Sequence, residues 1–257
     1  MARIRRLIWD IETSPNIVFS WRAGYKLNIP HENIIQERAI ICICYKWEGE
    51  KRVYSLQWDD GCDRDMVAKF LEVASQADEL VAHNGDRFDM KWLNTRILKH
   101  GLEPPEPWKT VDTLKIAKRH FYFNSNRLDY LGQHLLGHGK IKTDYGMWKA
   151  IVLDNCPTAM RKMIKYCKMD VSLLEQVWKE LEPFHKPATH VGVMNGGDKW
   201  QCPRTGGEDV RKVKTRVTSA GTTQHIMQNN ETKAKYQISD TAYREWLEHL
   251  ADTATEK

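Results

Sequence analysis

The sequence predicts a mixed α/β fold whose sheet is an antiparallel meander in one half and parallel in the other, with helices flanking the sheet. Three β-rich runs come first, and shorter strands then alternate with helical patterns. Strands joined by short turns pair antiparallel, whereas strands separated by helices pair parallel. The change to a Thr-, Lys- and Arg-rich composition after residue 198 marks a small C-terminal module, which is expected to be β-rich.

The first strand carries two carboxylates inside an apolar run, residues 6–13. Asp10 and Glu12 are two residues apart, so on a strand they point to one face, roughly 7 Å apart. Acidic side chains rarely lie in a buried strand without a partner, and like charges this close raise each other's pKa. A divalent cation that prefers oxygen ligands, Mg²⁺ or Mn²⁺, is the simplest partner. A frayed strand end with two solvated acids is the alternative.

The later elements follow from hydrophobic periodicity and from turn residues. After an irregular excursion over residues 14–37, strands are predicted at 38–47, 52–58, 79–84 and 108–111. Helices are predicted at 64–77, 89–100, 112–121, 128–136 and 158–181. Sites in such sheets collect at the carboxyl ends of adjacent strands. The first strand ends at Asp10 and Glu12 and the fourth ends at Asn84, so these ends are expected to face one cleft.

Composition divides the chain into four segments. Residues 1–182 hold the alternating strands and helices, and residues 183–197, rich in Pro and Gly, are predicted to be a linker. Residues 198–238 are predicted to form the β-rich module, which is basic because eight Lys and Arg side chains outnumber four acids between 198 and 235. Residues 239–257 are predicted to form a helix and a tail.

Composition also excludes several classes of protein. The 257 residues are 41% hydrophobic and 28% charged, which is typical of a globular protein. No run approaches the ~20 apolar residues of a membrane-spanning helix, and no signal peptide fits the basic N-terminus. A cytoplasmic protein with reduced, mostly buried cysteines is expected, with Cys42 and Cys44 on one strand face. The net charge of +5 permits a polyanionic partner but is weak evidence alone.

A second polar stretch joins the fourth strand to the next helix. It contains Asn84, Phe88 and Asp89. Asn84 is interpreted as hydrogen-bonding backbone or substrate, or equally as a helix cap. Phe88 is interpreted as a core residue in preference to a side chain that packs beside a terminal base.

A third polar stretch lies inside the long predicted helix. Tyr166 and Asp170 are four residues apart, so both point from one helix face. Asp170 stands beside Val171, which belongs to the apolar stripe facing the sheet. A carboxylate at that position needs a partner.

Together, the three stretches resemble the motifs of the DEDD superfamily of 3′–5′ exonucleases, which share the ribonuclease-H-like fold. The resemblance covers roughly residues 4–181 and points to the tyrosine branch, because Tyr166 stands four residues before Asp170. The sister branch would place a histidine at the position of Lys165. The resemblance implies a metal-dependent exonuclease that hydrolyses phosphodiester bonds to nucleoside monophosphates.

The resemblance also implies a role for each matched residue. Asp10 would bridge two metal ions, Mg²⁺ or Mn²⁺, and Glu12 and Asp170 would ligate one of them. Asp89 would hold the second ion, directly or through water. Tyr166 would orient the attacking water, since a phenol with a pKa of about 10 is a poor base at neutral pH.

Other residues are predicted to contact nucleic acid. Trp21, in the early excursion, is the tryptophan expected to stack on bases. Arg127 belongs to a basic set that either follows the phosphates or forms solvated helix faces. The members of this set are Lys115, Lys118, Arg119, Arg127, Lys140 and Lys142.

The C-terminal module resembles a zinc ribbon of the kind attached to transposases and phage proteins. Its opening keeps Cys202, but Thr205 stands where a second cysteine belongs, and no cysteine pair follows. A structural zinc site needs four N or S ligands, so no zinc is expected. The prediction is a metal-free ribbon whose basic strand, with Lys212, Lys214 and Arg216, binds nucleic acid. A mobile tail with a docking helix is the alternative.

The sequence therefore predicts a two-metal 3′–5′ exonuclease, with DNA favoured as substrate. No polymerase domain accompanies it in this sequence, so a polymerase or a replication or recombination complex would be a partner in trans. The same site acting on RNA, or on a particular nucleic-acid structure, is one alternative. A nucleic-acid-binding protein with a vestigial site is another, although the intact acidic residues argue against it.

Overall fold

A computed structural model describes residues 4–24, 26–140 and 143–255 of the chain. The chain divides into two compact units, Arg5–Phe184, and His185–Lys257 with Met1–Ile4. Each unit has its own hydrophobic core. Within the described ranges, no helix combines the length and the apolar character that crossing a bilayer requires.

The first unit is built on a mixed sheet. Its strands are β1 (Arg6–Thr13), β2 (Ile17–Val18), β3 (Ile34–Gln36), β4 (Ile40–Trp47), β5 (Tyr54–Gln57), β6 (Glu79–Ala82) and β7 (Lys109–Asp112). Five of them form one sheet in the order β5-β4-β1-β6-β7. The pairs β1/β4 and β4/β5 are antiparallel, whereas β1/β6 and β6/β7 are parallel. This arrangement confirms the predicted α/β class with its antiparallel and parallel halves.

Helices connect and cover these strands. They are α1 (Arg64–Ala74), α2 (Asp89–Lys99), α3 (Thr113–His120), α4 (Leu128–Leu136), α5 (Tyr145–Asp154) and α6 (Pro157–Leu181). Sequence periodicity predicts all of them except α5. That helix has apolar residues around most of its circumference but buries only Ile151, so no single stripe marks it as a helix.

The excursion at residues 14–37 is more ordered than predicted. β2 and β3 pair antiparallel within it, with an irregular register at Ile17 and Val18. Large apolar side chains of this segment are nevertheless exposed, including Phe19, Trp21 and Ile35.

The alternation of side chains along β1 gives the two faces of the sheet different roles. Trp9 points to one face and stacks on Phe70 of α1, with ring centroids 4.8 Å apart. Asp10 points to the opposite face, where the Sγ of Cys167 on α6 lies 3.6 Å from the Asp10 carbonyl oxygen. The face under α6 therefore carries the acidic residues.

The second unit contains a three-stranded antiparallel sheet and a helix, as the sequence predicts. After the short helix α7 (Val191–Met194) come β8 (Val210–Val217), β9 (Thr223–Asn229), β10 (Lys235–Ser239) and α8 (Asp240–Thr255). The strand order is β10-β9-β8. The segment predicted as a linker contains α7, which the sequence analysis missed because its four residues are too few to show a period.

Candidate active site

Three carboxylates from two elements meet on the sheet face under α6. Asp10 and Glu12 come from β1, and Asp170 comes from α6. One carboxylate oxygen from each lies within 4.8 Å of the others. Asp170 is buried, while Asp10 and Glu12 are half-buried. The three acids therefore form one cluster, and its two β1 members, Asp10 and Glu12, are partly exposed to solvent.

Asp89 lies beside this cluster at the start of α2. Its Oδ1 accepts a hydrogen bond of 3.2 Å from the backbone N–H of Ile11 on β1. A helix N-terminus favours a carboxylate, because unpaired N–H groups point toward it. The turn before α2 depends on Asn84, whose φ of 64° lies in the left-handed region that Asn tolerates.

Tyr166 lies one helical turn before Asp170 on α6. Its phenol lies close enough to the Asp170 carboxylate for the two groups to shift each other's pKa. Burial, followed by the charge of Asp170, raises the pKa of Tyr166 above that of a free phenol. The hydroxyl is therefore protonated at neutral pH and available to donate or accept a hydrogen bond.

Lys140 reaches into the carboxylate cluster, although the sequence analysis placed it in a surface basic set. Its Nζ donates a 2.6 Å hydrogen bond to Asp170 Oδ2 and lies 5.5 Å from the centre of the Tyr166 ring. Burial acts to lower the pKa of Lys140, but the charges of Asp170 and Asp10 outweigh it, so the pKa is raised and the ammonium stays charged. The loop carrying Lys140 is fixed by Asp129, whose Oδ1 accepts a 2.6 Å bond from the Lys140 backbone N–H.

The other members of that basic set that the structure describes do not share the position of Lys140. Lys115 pairs with Asp86 at 2.6 Å on the surface, and Arg127 is exposed just before α4. Lys142 lies outside the described residues. No periodic signal distinguishes Lys140, because it stands in a loop and meets Asp170 thirty positions away in the chain.

The pKa values of the clustered acids are higher in the folded protein than in water, so their neutral forms are favoured. Burial, followed by the charge of Asp170, raises the pKa of Asp10 to about 7. Burial and the charge of Asp10 raise the pKa of Glu12 to about 9, and the pKa of Asp89 is raised for the same two reasons. One ammonium, from Lys140, does not offset this many carboxylates. An all-oxygen set with excess negative charge fits Mg²⁺ or Mn²⁺, which would be held by Asp10, Glu12, Asp89 and Asp170.

In the absence of metal, thermal stability is expected to fall as the pH rises from about 5 to about 9. In the folded chain, Asp10 keeps its proton up to about pH 7 and Glu12 keeps its proton up to about pH 9. Unfolded carboxyls lose their protons near pH 4, so between these values the folded state binds more protons and raising the pH favours unfolding. Calorimetry in a chelator across this window measures the effect, and saturating Mg²⁺ is expected to reduce it. Stability that is constant or rises over the same window would contradict the described electrostatics.

His83, Asn84 and Asp112 support the cleft. The His83 ring lies 2.8 Å from Thr113 Oγ1 and 2.9 Å from the Asn126 carbonyl oxygen, as expected of a structural histidine. Asp112 caps α3 by accepting hydrogen bonds from the N–H groups of Leu114 and Lys115. It also accepts a 2.9 Å bond from the Asn84 N–H, so the turn after β6 is tied to the start of α3.

The interpretation of Phe88 as a core residue is wrong. The residue is 38% exposed and packs edge-on against Trp92, with ring centroids 6.5 Å apart. Phe88 immediately precedes Asp89, the first residue of α2, and part of its ring is exposed to solvent. Trp21 is 91% exposed and contacts Phe19 edge-on, so its ring face is accessible as well.

A groove of about 510 Å³ opens beside Tyr166 between the starts of α5 and α6. Its lining includes Thr143, Met147, Lys162 and Lys165. The sequence analysis missed this groove because α5 forms one of its walls. The spacing of Lys162 and Tyr166, one turn apart on α6, is the signal that would have placed a cation near the phenol.

The basic strand of the second unit is β8, at the edge of its sheet. Lys212, Lys214 and Arg216 are exposed along it, with a bulge between Lys212 and Lys214. Lys212 lies 4.8 Å above the centre of the Tyr243 ring, and Arg216 donates to Gln237 Oε1 at 2.6 Å.

Cys202 is buried in a tight turn of the second unit. Its carbonyl accepts a 2.7 Å bond from the Gly206 N–H, and its own N–H donates to Gly207 O at 3.0 Å. His225 bonds Thr215 and Asp240. In the part of the chain that the structure describes, both groups of metal-ligating side chains whose ligand atoms lie within 4.8 Å of one another are in the first unit. The expectation that the ribbon binds no zinc stays a prediction.

Comparison with known proteins places these residues in a family. A profile of the family described as a predicted 3′–5′ exonuclease related to the exonuclease domain of PolB matches residues 30–172, more than half of the chain. The matched range contains Asp89, Tyr166 and Asp170. It begins after Asp10 and Glu12, so the assignment of those two acids depends on the geometry of β1.

Two polymerases are similar to this chain over short parts of their length. A DNA polymerase III of the PolC type from Ureaplasma parvum serovar 3 is 49% identical over 49 residues, which is 19% of this chain and 3% of that protein. The family B DNA polymerase of the hyperthermophilic archaeon Pyrobaculum calidifontis matches 71% of this chain and 25% of its own, with a TM-score of 0.55 and 16% identity. At that identity the likeness shows the fold alone, and it agrees with the predicted fold class.

Proposed function

Because this chain belongs to the family of predicted 3′–5′ exonucleases related to the exonuclease domain of PolB, we propose that it hydrolyses nucleic acid from the 3′ end with two Mg²⁺ or Mn²⁺ ions. One observation carries this proposal. The carboxylates of Asp10, Glu12 and Asp170 converge within 4.8 Å beside the phenol of Tyr166. Carboxylates this close together repel one another unless cations lie between them.

The proposed roles are those that the resemblance to the DEDD exonucleases implies. Asp10 would contribute to holding both ions, Glu12 and Asp170 would hold one of them, and Asp89 would hold the other. When bound, such ions stabilise the attacking and leaving oxygens of an in-line displacement at phosphorus. Tyr166 keeps its proton and orients the attacking water through its hydroxyl. The four-residue spacing of Tyr166 and Asp170 on α6 supports the proposal that the chain belongs to the tyrosine branch of the DEDD exonucleases.

Lys140 is proposed to position Asp170 and to add positive charge at the cluster. Its half-buried ammonium lies against the Asp170 carboxylate, close to the ring of Tyr166. A cation in this position limits the repulsion among the acids before the divalent ions bind.

The 3′ end of a strand is proposed to enter between Phe88 and the groove beside Tyr166. An exposed aromatic ring stacks on a base whatever its sequence. Lys162 and Lys165 line the groove and are proposed to contact phosphates. Trp21 and Arg127 are proposed to contact more distant nucleotides.

DNA is the favoured substrate because the family is described as related to the exonuclease domain of PolB and the similar PolC-type protein is a DNA polymerase. An exoribonuclease or a structure-selective nuclease with the same site is the alternative. Digestion of single-stranded DNA, duplex DNA and RNA of one sequence, each labelled at the 5′ end, separates them. We expect the fastest Mg²⁺-dependent shortening on DNA. Exclusive cleavage of RNA would reverse this preference, and no cleavage of any of them in Mg²⁺ or Mn²⁺ would support a vestigial site.

The second unit is proposed to be a metal-free ribbon of the zinc-ribbon type that grips nucleic acid through β8. Its strand presents Lys212, Lys214 and Arg216 to solvent without an acidic partner among the ion pairs of the described residues. Exposed cations can neutralise the phosphates of a nucleic-acid strand. A polymerase or a replication or recombination complex is the proposed partner in trans.

Replacing Lys212, Lys214 and Arg216 together with Gln is expected to weaken binding of single-stranded DNA and to reduce its salt dependence. Each lost phosphate contact lowers the slope of log K against log salt by roughly 0.7. Cleavage in single turnover at saturating enzyme is expected to stay near wild type, because none of the three belongs to the carboxylate cluster. Fluorescence anisotropy at several salt concentrations measures the slope.

A matched control for that experiment is the triple Gln variant of Arg64, Lys51 and Lys69, which removes the same charge from exposed sites on the first unit. It is expected to leave the slope unchanged. If the β8 variant and the wild type bind DNA with equal affinity and equal salt dependence, β8 does not bind nucleic acid.

A further inference from the structure

Three cysteine side chains from two elements converge beneath the carboxylates. Cys42 and Cys44 lie on β4 and Cys167 lies on α6, and their Sγ atoms lie within 4.8 Å of one another. All three residues are fully buried, and none forms a disulfide. These three residues form the thiol cluster.

The strand register explains why the thiol cluster adjoins the acids. Asp10 pairs with Cys44, and Glu12 pairs with Cys42, across β1 and β4. Directly opposite residues of paired strands point to the same face. The Sγ of Cys167 lies 3.8 Å from Asp10 Oδ2. Sulfur and oxygen ligands therefore form one continuous layer under α6.

Packing alone does not require sulfur at these positions. Further along the same helix the buried side chains that cover the sheet are hydrocarbon, such as Val171 and Leu174. Thiolates select thiophilic ions, whereas carboxylates suit Mg²⁺ and Mn²⁺. Zinc–sulfur bonds of about 2.3 Å place the sulfurs of a tetrahedral shell about 3.8 Å apart. The three Sγ atoms need to approach one another by at most about 1 Å to reach that spacing.

We infer that the thiol cluster binds a thiophilic divalent cation of the Zn²⁺ class, with Asp10 as the fourth ligand. The 3.8 Å between Cys167 Sγ and Asp10 Oδ2 is close to the ligand spacing of such a shell. Binding replaces three S–H bonds with three metal–sulfur bonds, and the three protons pass to the solvent. No oxidation state changes, so no oxidant or reductant is needed. The half-buried carboxylate of Asp10 gives the ion a path from solvent.

An ion in this site removes Asp10 from the carboxylate cluster. The protein is therefore inhibited by Zn²⁺ or Cd²⁺, and reversing the inhibition takes a large excess of Mg²⁺, because Mg²⁺ competes for Asp10 but not for sulfur. This inhibition rests on the proposed function, whereas the binding does not. The expectation of no zinc came from the missing cysteines of the C-terminal ribbon and did not consider this cluster.

Titration of the reduced, metal-free full chain with Cd²⁺ in excess Mg²⁺ tests the binding. Cadmium bound to thiolates absorbs in the ultraviolet by charge transfer, and cadmium bound to carboxylates does not. We expect one Cd²⁺ per chain with the absorption of three thiolates. Cys167→Ala is expected to weaken binding at least about tenfold, since even the loss of a residue that only orients a metal ligand costs 10–100-fold. Cys42→Ala provides the same test if Cys167→Ala does not fold.

Cys62→Ala is the control, because Cys62 is exposed and outside the cluster. It is expected to bind Cd²⁺ like the wild type. A wild-type chain without charge-transfer absorption, or absorption that both cluster variants retain, overturns the inference. Cadmium bound at the cluster without inhibition of Mg²⁺-dependent cleavage overturns the assignment of Asp10 as fourth ligand. A chain that cleaves nothing refutes the proposed function but leaves the absorption test intact.

Discussion

Asp10→Asn is expected to abolish hydrolysis while leaving the fold intact. The side chain is the central acid of the cluster, and the amide keeps its size but loses the charge that holds metal. Loss of one preorganised electrostatic contact to a reaction typically costs about 10²–10³-fold in kcat, and a residue that holds two ions is expected to exceed that. Single-turnover digestion of labelled DNA by the folded variant measures the effect.

Two further results separate loss of chemistry from loss of structure in that variant. Asp10→Asn is expected to unfold at a higher temperature than the wild type in a chelator, because one member of a repelling group has become neutral. Asp65→Asn, at an exposed acid on α1, is the matched control and is expected to keep full activity. Activity of Asp10→Asn within about tenfold of wild type would remove Asp10 from the proposed site.

Tyr166→Phe is expected to lower kcat by roughly 10²–10⁴-fold, the range typical of a side chain that handles a proton in the transition state. The ring stays, so α6 keeps its packing, and the acids keep their affinity for metal. Only the hydroxyl beside the Asp170 carboxylate is lost. Burst and steady-state kinetics, together with calorimetric titration of Mn²⁺, distinguish these effects.

Tyr122→Phe is the control for that change, since the Tyr122 side chain is fully exposed on the same unit. It is expected to behave as wild type. A wild-type kcat for Tyr166→Phe would mean that the hydroxyl is idle and that Tyr166 serves only to pack beside Lys140.

Much of this site is predictable because its acids lie on periodic elements. The two-residue period of a strand places Asp10 and Glu12 on one face. The period of a helix does the same for Tyr166 and Asp170. The turn residue Asn84 marks where β6 gives way to α2. These are local rules, and the described first unit follows them.

Lys140 and the groove were not predictable by the same rules. Lys140 stands in a loop, and its contact with Asp170 depends on the path of the chain between α4 and α6. One wall of the groove is formed by α5. The apolar residues of that helix do not form a single stripe, so the sequence does not reveal the wall. The thiol cluster joins two distant segments, so only the pairing of β1 with β4 and the packing of α6 reveal it.

The central claim is that the carboxylate cluster hydrolyses nucleic acid from the 3′ end with divalent metal. The most direct measurement is a time course on single-stranded DNA labelled at the 5′ end, with Mg²⁺, with chelator and with Mg²⁺ restored. We expect a ladder of labelled products that shorten one nucleotide at a time, and this ladder should be lost in chelator, regained with Mg²⁺ and absent in Asp10→Asn. A single short labelled product from the first time point, or a ladder that persists in chelator or in Asp10→Asn, would contradict it.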